Sequence, residues 1–163
     1  MQKPLRDYKV TCKYGVSRKV KCTNGKTVTD IHSGIDLVSK YDDVQAAAYG
    51  KVLFTTEDDG TGAKTVVTVH HNVLPYGCVL LCLYTHLDSI LVKENDIVTE
   101  ATVIGKQGST GNVSGKHLHL SCFLLPKFVW KAKGTKDKYY KWDYKTRDNY
   151  EIDPNELFHF YEG

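Results

Sequence analysis

Long apolar runs are missing from this chain: none of its 163 residues belongs to a stretch approaching the roughly 20 that a helix needs to cross a bilayer, so no membrane span is expected. The opening Met1-Gln2-Lys3-Pro4-Leu5-Arg6 lacks the apolar segment of a secretory leader, and no signal peptide is expected. Helical periodicity is nearly absent, which removes helix bundles and coiled coils. The five cysteines are an odd number, and Cys78, Cys82 and Cys122 lie in apolar runs where free thiols pack as small hydrophobes, so a disulfide framework is not expected. Internal repeats and linkers are absent too. With 41% hydrophobic and 25% charged residues, residues 1–163 read as a single domain able to bury its own core.

What is present is a succession of short β-rich runs separated by turn residues, an all-β pattern. Lys51 to Thr56 and Lys64 to Val69 flank Asp59-Gly60-Thr61-Gly62, whose glycines suit a hairpin turn. A second hairpin is expected through Asn72 to Gly77 into Cys78 to Tyr84, a run apolar enough for a central strand. Residues 107–115 form a loop of Gly, Ser, Thr and Asn. Asp153-Pro154 followed by Asn155 to Phe158 carries the signals of a short helix start near the C terminus.

Net charge is only +3, but it is unevenly placed. Lys9, Lys13, Arg18, Lys19, Lys21 and Lys26 crowd the N-terminal segment. Residues 131–150 are basic and aromatic, and read as an insertion or projecting loop that either binds a partner or packs. Such fields attract polyanions in general, although a solvated face is the commoner outcome.

Histidines carry the chemistry. In Gly115-Lys116-His117-Leu118-His119-Leu120 the alternation turns His117 and His119 to one face of a strand and the leucines into a core. Far upstream His32 precedes Asp36 by four residues. Imidazole and carboxylate are zinc ligands, and a catalytic zinc usually keeps three protein ligands with one position open. His32, Asp36 and one histidine of the pair supply that count. Each motif alone arises often by chance. Tyr84-Thr85-His86-Leu87 adds another histidine at the end of an apolar strand, and a glycine-rich approach from Gly105 to Gly115 leads into the pair. His70, His71 and His159 fit no part of this constellation and are expected at strand ends, on the surface or in packing, while Cys78 and Cys82 are expected to face the core.

The order His32-x-Gly34-Ile35-Asp36, Tyr84-Thr85-His86-Leu87, then Ile104-Gly105 through Thr110-Gly111 to Gly115-Lys116-His117-Leu118-His119 resembles the lysostaphin and LytM type of zinc endopeptidase, which cuts peptide cross-links of the bacterial cell wall. The likeness runs from about Val10 to Phe158. It implies the compact antiparallel β-fold called the duplicated hybrid motif, part sheet and part barrel-sandwich, with long loops around a zinc groove. It also implies one Zn2+ per chain held by His32, Asp36 and His119. His86 and His117 become the catalytic histidines, His117 as general base and acid and His86 as stabiliser of the tetrahedral oxyanion, with the two roles open to exchange. Bacterial peptidoglycan is the implied substrate.

Three departures accompany the resemblance: Leu120-Ser121 stands where the family often has Phe-Glu, and Asn95 and Ala101 replace turn glycines. Losing the Glu bears on the support of a metal ligand. Asn95 suits a left-handed turn position. A non-catalytic wall-binding, structural or regulatory module of the same fold is the alternative, and the full set of histidines argues against it. A nucleic-acid-binding β-domain leaves those histidines unexplained. The basic, leaderless sequence suits a phage wall-degrading enzyme, carried on the virion or held in the host cytoplasm until release, with residues 131–150 touching other tail proteins. An excised domain of a secreted wall hydrolase suits it as well.

Overall fold

A computed structural model of the chain describes residues 1–21, 24–127, 130 and 149–161. The basic and aromatic stretch at 131–150 therefore lies, apart from its last two residues, outside the described residues, as does Cys22.

The β-rich runs become strands. The alternation in Val79 to Tyr84 and Leu118 to Leu125 gives the two longest, β8 (Val79–Ile90) and β11 (Leu118–Leu125), antiparallel and in register from His119↔Thr85 to Leu125↔Val79. Around them run β1 (Lys9–Cys12), β4 (Ile35–Val38), β6 (Gly50–Thr56), β7 (Lys64–His70) and β9 (Ile97–Val98), ordered β1-β4-β11-β8-β7-β6-β9. The expected hairpin across Asp59 to Gly62 is β6–β7, and the second joins β7 to β8. Additional pairing comes from β5 (Asp43–Gln45), β10 (Val103–Gln107) and β12 (Glu151–Ile152), with β10 bridging β5 and β8. Outside this sheet stands a two-stranded hairpin, β2 (Ser17–Lys21) and β3 (Thr27–Ile31), whose residues are almost all exposed. The architecture is all-β and antiparallel, as expected.

The period of two divides the sheet into faces. Even-numbered Leu80, Cys82 and Tyr84 of β8 join Leu118, Leu120 and Cys122 of β11 in the main core, with Ile35, Leu37 and Ile104. Odd-numbered Val79 and Leu81 join Phe123 and Leu125 in a second cluster on the opposite face. One helix closes the described chain, α1 (Asn155–Phe158). It begins a residue later than expected, with Asp153 Oδ1 accepting the Asn155 amide at 2.8 Å, and the short strand Glu151–Ile152 precedes it.

Three smaller expectations meet specific outcomes. Asn95 has φ +73°, the left-handed conformation that its replacement of glycine called for. His71 is exposed, but His70 is completely buried and is no surface residue. Its Nδ1–H donates to the Tyr49 carbonyl at 3.0 Å and its Nε2 lies 2.7 Å from Thr68 Oγ1. Cys82 is buried beside Cys122, whereas Cys78 precedes β8 and is half-buried.

Candidate metal centre and active site

The core face of β11 is leucine and cysteine; its other face presents His119, Ser121 and Phe123. Strand β4 lies against β11 with His119↔Asp36 as cross-strand partners, so the ligand pair expected from distant parts of the chain is set by register alone. Gly34 explains itself here: a Cβ would lie 2.7 Å from His119 Nε2 and closer still to the Leu120 carbonyl. No side chain fits between the two strands. His32 enters from the foot of the β2–β3 hairpin, where Gly15 N donates to the His32 carbonyl at 2.8 Å and His32 N to that of Val16 at 2.9 Å.

Three atoms converge. His32 Nε2 is 3.0 Å from Asp36 Oδ1, His119 Nδ1 is 2.9 Å from the same oxygen, and the two nitrogens are 3.1 Å apart. Burial pushes the Asp36 carboxyl up, but hydrogen bonds to His119 and His32 together with their charge outweigh it and hold the group well below the ordinary carboxylate range. Burial lowers the pKa of His119 against the opposing pull of Asp36. A tetrahedral ion with bonds of about 2.0–2.1 Å spaces its ligands about 3.3–3.4 Å apart, so this triangle needs to open by only a few tenths of an ångström to receive one.

Tautomers agree with that fit. A carbonyl oxygen only accepts, so the 2.9 Å contact of His32 Nδ1 with the Lys13 carbonyl places a proton on Nδ1 and makes Nε2, which carries a proton only while it donates to Asp36, the nitrogen available to a metal ion. His119 Nε2 is 2.9 Å from Ser121 Oγ; a proton there frees Nδ1 in the same way. Ser121 thus occupies the supporting place opened by the missing Glu, orienting the ligand ring through its far nitrogen. The donor set His, Asp, His is zinc chemistry. Cys12, the register partner of Asp36 on β1, borders the set with its thiol within 4.8 Å of the His32 and Asp36 ligand atoms, a looser placement than His119 has. Its nearness depends on strand pairing and left no mark in the sequence.

His86 reaches the site through a bulge. A regular β8 would turn it inward with Cys82 and Tyr84, yet the pairing with β7 passes from Val66↔Tyr84 to Lys64↔Leu87, so Thr65 faces both Thr85 and His86. His86 takes φ +67°, and Leu87 occupies the next core position. Bulges re-aim side chains in this manner beside functional sites. The freed ring packs against His117 at 4.9 Å between centroids and against His119 at 6.0 Å.

His86 Nδ1–H donates to the Thr110 carbonyl at 2.7 Å, and the Thr110 hydroxyl donates to the Leu87 carbonyl, so the 107–115 loop fixes the ring. Burial pushes the His86 pKa down to about 4, aided by the charges of His117 and His119. His117 just precedes β11, bridged to Gly108; its Nδ1–H donates to the Gly115 carbonyl at 3.0 Å and its Nε2 lies 3.7 Å from Asp36 Oδ1. Both rings are neutral acceptors at Nε2 when unprotonated. All five residues singled out in the sequence therefore meet at one place.

The site opens into a groove of two lobes, about 400 and 640 Å³, that share Arg18, Thr61, His86 and His119. One lobe has Phe54, Leu83 and Phe123 for a floor, with Thr65 and Thr85, whose buried hydroxyls have no hydrogen-bond partner among the described residues. The other runs along Lys19, Lys21 and Asn112. Sequence reasoning missed Arg18 as part of the site. Its place in a basic cluster was visible, but not its proximity to Asp36.

Comparison with known proteins adds a lineage to this geometry. Residues 30–125 match the profile described as Peptidase family M23. Peptidoglycan DD-endopeptidase ShyB of Vibrio cholerae is 31% identical over 120 residues, covering 71% of this chain and 25% of that protein. A zinc-containing peptidase from Vibrio cholerae shares 29% identity with a TM-score of 0.58, over 74% of this chain and 35% of that one. The catalytic domain of lysostaphin from Staphylococcus simulans, 21% identical, superposes with a TM-score of 0.63 over 93% of this chain and 92% of that domain, a likeness of fold. The chain spans about a quarter of the length of ShyB and about a third of that of the zinc-containing peptidase.

Proposed function

Because the chain belongs to peptidase family M23, we propose that it is a zinc-dependent endopeptidase hydrolysing peptide cross-links or stem peptides of bacterial peptidoglycan. The observation that carries this reading is the triangle of His32 Nε2, Asp36 Oδ1 and His119 Nδ1, 2.9–3.1 Å on each side, at the floor of a groove into which His86 and His117 project. His32, Asp36 and His119 would hold one zinc ion. Bound there, zinc would polarise the scissile carbonyl and lower the pKa of a water from about 16 toward about 7.

The chain's own groups do the rest. His117 Nε2, an acceptor because Nδ1–H is engaged by Gly115, takes a proton from the attacking water and returns it to the leaving amine. Stabilising an oxyanion needs an N–H, and the one N–H of neutral His86 is held by Thr110. With its pKa pushed down to about 4, His86 stays neutral at pH 7 and serves as a second acceptor that orients the water. This differs from the oxyanion role that the family resemblance implied for it. Register and loop bonding fix both rings before substrate arrives, which reduces the cost of reaching the reactive geometry.

ShyB is named a peptidoglycan DD-endopeptidase, which supports cleavage of that class by this chain. The phage setting suggested by composition has no counterpart in the site geometry, and the chemistry is the same in either setting. Purified protein is expected to carry about one zinc and to release defined fragments from isolated peptidoglycan, identified by mass spectrometry, with activity lost to a chelator and restored by zinc. Intact peptidoglycan after incubation with zinc-loaded protein would reject the proposal in favour of a non-catalytic module.

A further inference from the structure

Arg18 has an unusual position for a charged side chain on an exposed hairpin. It lines both lobes of the groove, beside His86 and His119. Its side chain is 41% exposed, and the two carboxylates it faces among the described residues, Asp30 Oδ2 at 3.7 Å and Asp36 Oδ2 at 3.8 Å, are beyond the roughly 2.7–2.9 Å of a charge-assisted hydrogen bond. Asp36 directs Oδ1 to the two ligand histidines, so Arg18 meets only the carboxylate's other oxygen. Five N–H donors in a planar fork are thus held over the reaction centre without being saturated by the described residues.

The surroundings give this fork a direction. Lys19 and Lys21 extend positive charge along one lobe, where Asn112 Nδ2 donates to the Lys21 carbonyl at 3.5 Å and ties the hairpin to the 107–115 loop. The opposite lobe contains Asp59 and Glu151 beside its apolar floor. A substrate carboxylate is repelled by the second and attracted by the first.

We propose that Arg18, supported by Lys19 and Lys21, is a specificity residue that binds a free carboxylate adjacent to the scissile bond, so that the carboxylate form of a cross-link is preferred over its carboxamide. This rests on the endopeptidase reading above and names the chemistry that the groove selects. Planar two-point pairing of guanidinium with carboxylate supplies the selectivity, because a carboxamide offers only one acceptor oxygen and no charge.

The test uses zinc-loaded protein and two synthetic D-alanyl–diamino-acid cross-linked peptides, identical except for a free carboxylate or a carboxamide beside the scissile bond. Wild type is expected to favour the acid by about tenfold to a hundredfold in kcat/KM, mainly through KM, as hydrogen bonds to a charged group suggest. Arg18→Gln should lose most of that preference, chiefly through the acid peptide, with zinc content unchanged. Arg18→Lys should retain part of it. Equal cleavage of both peptides by wild type, or an equal loss on both in Arg18→Gln, would overturn the proposal and leave the endopeptidase reading standing. Failure of wild type to cut either peptide or isolated peptidoglycan would overturn both.

Discussion

Two pairs of histidines share a spacing and differ in everything else. His32 and His119 have ring centroids 4.9 Å apart, and so do His86 and His117. In the first pair the nitrogens aim at a single buried oxygen of Asp36, and both rings are buried. In the second pair each ring is tethered by a separate backbone carbonyl on a loop, no carboxylate among the described residues is shared at hydrogen-bonding distance, and the free nitrogens face the groove. Ring proximity therefore says little about role. Which nitrogen is free, and what it faces, separates holding a metal from moving a proton.

The largest expected effect breaks the first pair. His119→Ala should reduce zinc from about one ion per chain to a small fraction, measured by elemental analysis, and abolish peptidoglycan hydrolysis, since two protein ligands rarely hold a catalytic zinc. Breaking the second pair should look different: His117→Ala is expected to keep its zinc while losing about 10²- to 10⁴-fold in kcat, the usual contribution of a general base. Equal loss of metal in that variant would mean that the two pairs do the same job. A finer test addresses the support of the first pair. Ser121→Ala should weaken zinc affinity by about 10- to 100-fold in chelator competition, with His117 chemistry otherwise intact.

Acid should affect stability least dramatically but with a defined sign. The His86 pKa falls from 6.5 to about 4 on folding, so between those values the unfolded chain binds more protons than the folded one. Stability of the metal-free protein is therefore fully present above about pH 6.5 and falls as pH is lowered toward 4, with His119, also lowered, acting in the same direction. Urea midpoints of metal-free protein at pH 7.5 and pH 5 should show the decline. His86→Gln should reduce the slope.

Much of this was legible in the sequence, because strands write their faces in a period of two. His117 and His119 read as one face of a strand, and the structure puts their neighbours Leu118 and Leu120 in the core. The β6–β7 hairpin was visible in its glycines. What escaped depends on contacts between distant segments. His70 does end β7, but its burial was not visible: Gly50 leaves room for its ring, since a Cβ there would meet His70 Nδ1 at 2.5 Å, and the Tyr49 carbonyl accepts its proton. Ser121 appeared as a missing glutamate, and only the 2.9 Å contact with His119 shows a replacement. Arg18 and Cys12 come near Asp36 through hairpin placement and strand register, which no local pattern encodes.

The bulge at Thr85-His86 acts as a phase slip within a single strand. Before it, even-numbered residues of β8 build the interior; immediately after it, Leu87 takes over that duty. The slip lets one continuous strand serve as both wall and tool, because the residue at the discontinuity belongs to neither repeat and is free to carry reactivity. Removing Thr85 would restore a plain alternation, put the imidazole in the outward place that Thr85 holds, and erase the φ +67° turn of the backbone that aims it.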